Sequence, residues 1–273
     1  MGLDAFLAEE LARPTRTDAR AMAEELARRT PCTVAVLFYG SCLRDPGAIG
    51  LLDFYVLVDG PDAVLPPGVT FMPASGPTNL GAKVATISRR QFMARLGRRS
   101  LDTTLWARFC QPAALVWSRD GEARDWVARA VAQACTTAVW WAITLAPADA
   151  RPEECWTALF RATYGAELRA EGPDRANQIY AAARTRYDAV MALARVPTGA
   201  PRSWRLRVMV GKVLNLARLA KALFTFEGGL DYLLWKLERH SGRKVELSAW
   251  QRRHPILASP SVLASLYRRG IIR

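Results

Sequence analysis

The chain has 273 residues, 51% of them hydrophobic and 9% aromatic. That is enough apolar mass for one large domain or two ordinary ones, and far too much for a disordered tail. Of its net charge of +13, a share of +11 falls from Pro201 onward, where 15 basic residues face 4 acidic ones. Such a field draws polyanions, whether nucleotide phosphates, nucleic acid or an acidic lipid surface. Five scattered cysteines without a CxxC pair argue against a disulfide framework or a zinc site and fit a reducing compartment.

Residues 1–30 alternate acids and bases on two short helical patterns broken at Pro14. Signal and transit peptides are poor in acids, so no leader is expected here. Two short runs, Cys32–Gly40 and Leu51–Asp59, are rich in β-branched and aromatic residues and bounded by Gly, Pro and Asp, the signature of buried strands. Val69–Met72, Ala82–Ser88 and Ala113–Ser118 read as further strands, with a helix over Arg89–Leu96. Everything up to residue 119 is therefore expected to form a mixed α/β sheet domain with helices packed on it.

From Asp120 the periodicity is almost wholly helical, giving a second domain over 120–258. Its most apolar window, Ala130–Ala146, has 17 residues including Gln133, short of the roughly 20 a spanning helix needs. It reads as a buried helix, with a membrane-embedded one as the alternative. Val196–Ser203 carries two prolines and a glycine and reads as a linker. Leu230, Leu233, Leu234 and Leu237 form one helical stripe that stops at Gly242. The basic segment 259–273 sets Val262, Leu263, Leu266 and Tyr267 against Arg268, Arg269 and Arg273. It reads equally as an interfacial helix on an anionic membrane or as a helix packed on the domain.

Four motifs can carry chemistry. In Gly40-Ser41 the glycine lets backbone approach a phosphate closely, and the following N–H groups and the Ser41 hydroxyl can hold a triphosphate. Asp53 opens the next strand and could hold Mg²⁺ against the same phosphates. Together they follow the Gly-Ser, spacer, Asp-x-Asp logic of polymerase-β-like nucleotidyltransferases, except that Tyr55 stands where the second acid would be. Lys83, among alternating apolar residues, reads either as an edge-strand charge facing solvent or as a cation that neutralises phosphate. Arg108 and Gln111 precede Pro112 at a helix end; Tyr164, Glu167 and Arg169 lie within one and a half helical turns. By themselves the last two groups read more simply as a solvated helix stop and a surface ion-pair cluster.

Taken in order, the motifs resemble those of the mitochondrial-type phosphatidate cytidylyltransferases, the peripheral CDP-diacylglycerol synthases named for translocator assembly and maintenance. The matching pieces are Tyr39-Gly40-Ser41, Leu52-Asp53-Phe54, "KVAT" from Lys83, "ARFCQPA" from Ala107, "TYGAELR" from Thr163 and "AKALFTFEGGLDYLLWK" from Ala220. In that family the second strand also lacks a second aspartate. Gln111 stands for its lysine, Glu167 for its aspartate and Phe71–Ala74 for an asparagine-proline-aromatic segment, and the histidine-containing insertion is missing, as in a compact bacterial relative.

The resemblance implies a polymerase-β-like sheet with a helical, winged-helix-like second domain, CTP and Mg²⁺, and phosphatidate as acceptor on the inner face of the cytoplasmic membrane. It places Gly40, Ser41, Tyr55, Arg108, Tyr164, Arg169 and Lys221 at the nucleotide, Asp53 and Lys83 in catalysis, and Asp53 at metal; a two-metal clamp needs a second carboxylate, for which Glu167 and Asp59 are the candidates. Nucleic acid is not the expected partner. The alternatives are another anionic lipid, a phosphosugar or an RNA end as acceptor, or a non-catalytic nucleic-acid- or membrane-binding protein on the same fold.

Overall fold

A computed structural model describes residues 1–45, 47–48, 50–72, 81–166, 174–196, 203–225, 248 and 250, with backbone alone over 219–225. Two N-terminal helices, α1 (Leu3–Leu11) and α2 (Thr17–Arg29), flank Pro14 and lead into β1 (Thr33–Tyr39). A single turn of helix, α3 (Ser41–Arg44), separates β1 from β2 (Leu52–Val58). Then come β3 (Gly68–Met72), β4 (Ala82–Ser88), α4 (Arg89–Leu96), α5 (Thr104–Phe109) and β5 (Ala113–Ser118). After Ser118 every described element is helical: α6 (Gly121–Leu145), α7 (Pro152–Ala166), α8 (Arg175–Ala182), α9 (Arg184–Leu193) and α10 (Trp204–Thr225).

The protein is thus mixed α/β. Its five-stranded sheet runs in the order β3-β4-β2-β1-β5. β1 pairs antiparallel with β2 and β5, and β3 pairs antiparallel with β4, while β2 and β4 run parallel. Every residue of β1 is buried because both sheet faces are covered. Alternate side chains go to opposite faces of a strand. Val36, Phe38, Phe54, Val56 and Val84 meet Ala19, Ala23 and Leu26 of α2 on one face. Ala35, Leu37, Tyr55, Leu57, Ala85 and Ile87 meet α1, α4, α5 and α6 on the other.

That second core runs without a break from Leu7 to Val190, so residues on both sides of Arg119 share it. At its centre lies α6, capped where the Asp120 carboxylate accepts from the Ala123 N–H at 2.7 Å. The apolar window expected as a buried helix is here: Val131, Ala134, Cys135, Ala138, Val139 and Trp141 are all buried. Among the described residues no helix is long and apolar enough to cross a membrane. α10 then crosses the end of α7, where a Cβ on Gly211 would lie 2.9 Å from the Ala166 carbonyl oxygen. The expected linker core, the Leu230–Leu237 stripe and the basic segment 259–273 lie outside the described residues.

Candidate functional site

β1 ends at Tyr39, and Gly40 turns the chain into α3 with φ +95° and ψ −161°, a combination essentially reserved for glycine. Antiparallel register sets Tyr39 opposite Asp53, so the first turn after β1 lies against the first acid of β2. The approach is close: a Cβ on Gly40 would sit 2.7 Å from Asp53 Oδ2 and 3.4 Å from Asp53 Cβ. Glycine therefore serves twice, for its dihedral angles and for the room it leaves the carboxylate.

Lys83 comes from the strand on the other side. In the parallel pairing of β2 and β4 it is the direct partner of Asp53, and in-register neighbours project to one face of a sheet, about 4.8 Å apart between strands. β4 is flanked by β3 and β2, so the solvent-facing edge charge is corrected: Lys83 lies on an inner strand and is half-buried. Gly40, Ser41, Asp53 and Lys83 are thereby gathered at one end of three neighbouring strands.

Over the same face lies Arg108 of α5. Its Nη1 donates to the Tyr55 hydroxyl at 3.0 Å, and its guanidinium carbon lies 5.1 Å from the Tyr39 ring centroid and 5.8 Å from that of Tyr55. A guanidinium over two aromatic faces is held electrostatically by both rings. Tyr55 is only 1% exposed and packs edge-on to Phe109, centroids 5.1 Å apart. The expected nucleotide contact at Tyr55 is therefore corrected: the residue in the second-acid position is core, and its hydroxyl carries Arg108.

The other expected residues divide. Asp59 is not brought to the site. It lies six residues beyond Asp53, about 20 Å along an extended strand, and pairs with Arg89 Nε at 3.0 Å and Arg119 Nη1 at 3.1 Å. As a metal ligand beside Asp53 it is corrected by the length of β2. Tyr164 sits half-buried in the last turns of α7, packed against the main core. Glu167 and Arg169 lie outside the described residues, as does the side chain of Lys221 on α10.

Two buried ion-pair groups that sequence reasoning missed hold α5. At its start, Asp102, 3% exposed, accepts from Arg95 Nη1 at 2.8 Å and Arg218 Nη2 at 2.5 Å, and from the Thr104 N–H at 3.1 Å. Burial pushes the Asp102 carboxyl up, but the Arg218 guanidinium and Thr104 hold it below the ordinary carboxylate range. At its end, Arg186 of α9 donates to Glu10 Oε2 and to the Cys110 carbonyl, both at 2.6 Å. Arg218 lies 116 residues from Asp102, and Arg186 lies 176 from Glu10, so no local pattern announces either pair.

As to metal, no group of three or more His, Cys, Asp or Glu that could hold an ion occurs among the described residues. Among the described residues the carboxylate set against the Gly40 turn is that of Asp53. That donor set fits Mg²⁺, which keeps several waters and is commonly bound by one or two carboxylates together with substrate phosphates.

No protein-family model matches this chain, and no curated protein matches it either. Among solved structures, a nucleotidyltransferase-like protein from Exiguobacterium sibiricum 255-15 overlaps 93% of this chain and 91% of its own, with 11% identity and a TM-score of 0.29. Overlap of that quality fixes neither fold nor activity.

Proposed function

We propose that the protein is a nucleotidyltransferase that joins CTP to phosphatidate, releasing pyrophosphate, as a peripheral enzyme on an anionic membrane surface. The carrying observation is the seating of the Asp53 carboxylate against Gly40 at +95°, which puts one acid beside a turn able to admit phosphate. The choice of CTP and phosphatidate rests on the motif order described from the sequence.

Ser41 and the backbone N–H groups after Gly40 would bind the triphosphate, with Lys83 and Arg108 neutralising its charge. Asp53 would hold Mg²⁺, which supplies charge neutralisation at the reacting phosphates. An oxygen of the phosphatidate phosphate attacks the α-phosphorus of CTP; the bond from that phosphorus to the bridging oxygen breaks, and pyrophosphate leaves. The attacking oxygen is already anionic, so no strong general base is required, and catalysis consists of positioning and electrostatics. Tyr164, Glu167, Arg169 and Lys221 are proposed to close the nucleotide site from the helical side.

The test is pyrophosphate release with each nucleoside triphosphate, Mg²⁺ and phosphatidate vesicles, alongside Asp53→Ala. Release confined to CTP with phosphatidate and lost in the variant supports the assignment. Turnover of CTP only with another acceptor would replace phosphatidate. Silence with every nucleotide would overturn the enzyme reading and leave a binding protein on this scaffold.

A further inference from the structure

Arg186 is an expensive residue to bury. Its side chain is 10% exposed and that of its partner Glu10 is 6% exposed. Removing two charges from water costs several kcal/mol each before their attraction is counted, and a well-packed apolar pair often does as well for stability alone. What an apolar pair could not reproduce is a second contact. While Nε is engaged by Glu10, Nη1 donates at 2.6 Å to the carbonyl of Cys110.

Cys110 is the residue that ends α5, and its own N–H donates to the Trp106 carbonyl at 2.9 Å. Two residues earlier stands Arg108, whose carbonyl accepts from the Gln111 N–H at 3.1 Å. The guanidinium fork thus ties α1, α9 and the last turn of α5 at one point. That turn is the one whose side chain reaches Tyr55 and lies over Tyr39.

We infer that Arg186, seated by Glu10, is a positioning residue: by fixing the Cys110 carbonyl it sets the reach and angle of Arg108 toward the nucleotide phosphates. The inference rests on the proposed nucleotide contact of Arg108.

The experiment is a double-mutant cycle on the full-length chain, reading CTP affinity by calorimetry with Mg²⁺, well below each variant's Tm. Arg186→Lys keeps the charge opposite Glu10 but cannot span both partners with a planar fork. It is expected to weaken CTP binding roughly tenfold in the wild-type background and to add nothing in the Arg108→Ala background. Equal losses in both backgrounds, or a lower Tm with unchanged CTP affinity, would make Arg186 a stability residue and overturn the inference alone. If Arg108→Ala itself binds CTP like wild type, or the wild-type protein binds none, the nucleotide contact fails and the inference falls with it. Should Arg186→Lys not fold, Glu10→Gln, which leaves Arg186 in place but loosens its seat, enters the same cycle with the same expected outcomes.

Discussion

The two ends of β2 carry the same chemical group in opposite circumstances. Asp59, just past one end, is flanked by Arg89 and Arg119 at 3.0 and 3.1 Å, and the latter also donates to Asp120, the cap of α6. Its charge is paired with the first residue of α4 and with the residue that follows β5. Asp53, at the other end, meets a glycine turn that only glycine can make and a lysine in register on the next strand. An aspartate's role is set by what surrounds it, and here Asp59 marks a structural end of β2 and Asp53 its proposed chemical end.

The largest expected effect tests that division directly. Asp53→Asn keeps the shape of the side chain and removes its charge; pyrophosphate release should fall by roughly 10³-fold with little change in Tm. A variant that keeps most of its activity would mean that the chemical end of β2 has been misplaced.

Burial sharpens the contrast between paired acids. Asp102, like Asp59, has two arginine partners, but it is 3% exposed where Asp59 is 37%. Breaking a buried pair leaves uncompensated charge, so Asp102→Asn should cost about 3 kcal/mol in denaturant unfolding at neutral pH. The pH dependence follows from the direction of its shift. The native carboxyl titrates below its ordinary value, so its contribution is complete above the unfolded pKa of about 3.9. It is lost as pH falls from there through the depressed native value. Wild type should lose stability more steeply than Asp102→Asn over that acid range, and parallel curves would show that Asp102 adds nothing through its charge.

Gly40→Ala probes the chemical end through the backbone. The variant must either hold a φ of +95° with a Cβ, costing about 1–3 kcal/mol, or re-turn the chain and push Asp53 away. Both a lower Tm and lost pyrophosphate release are expected; an unchanged Tm with full activity would remove the close approach from the argument.

Much of this was legible before the fold. β4, β5 and α4 stand where their patterns placed them, because each is a short run with strong periodicity between Gly, Pro and polar stops. Gly40, Ser41 and Asp53 could be joined because a strand, a turn and a strand are consecutive in the chain. Arg218 and Arg186 could not, since an arginine in a basic helix looks solvated until a partner more than 100 residues away is brought to it. Tyr55 misled for a related reason: its position two residues after Asp53 gave it the right face, but burial under α5 turned that face from cleft into core. Asp59 misled by simple arithmetic, since a nearby number along an extended strand is a long distance in space.

The smallest effect belongs to Asp59→Asn. Its partners Arg89 and Arg119 are 30% and 44% exposed, and exposed pairs of this kind contribute about 0–1 kcal/mol. Turnover should be unchanged and the loss of stability barely measurable at low salt. Because solvent-exposed charges are screened over about 3 Å at 1 M ionic strength, the gap between Asp59→Asn and wild type should close as salt is raised. A gap that persisted, or any loss of turnover matching that of Asp53→Asn, would mean that Asp59 acts on more than its two arginines and that the ends of β2 are coupled.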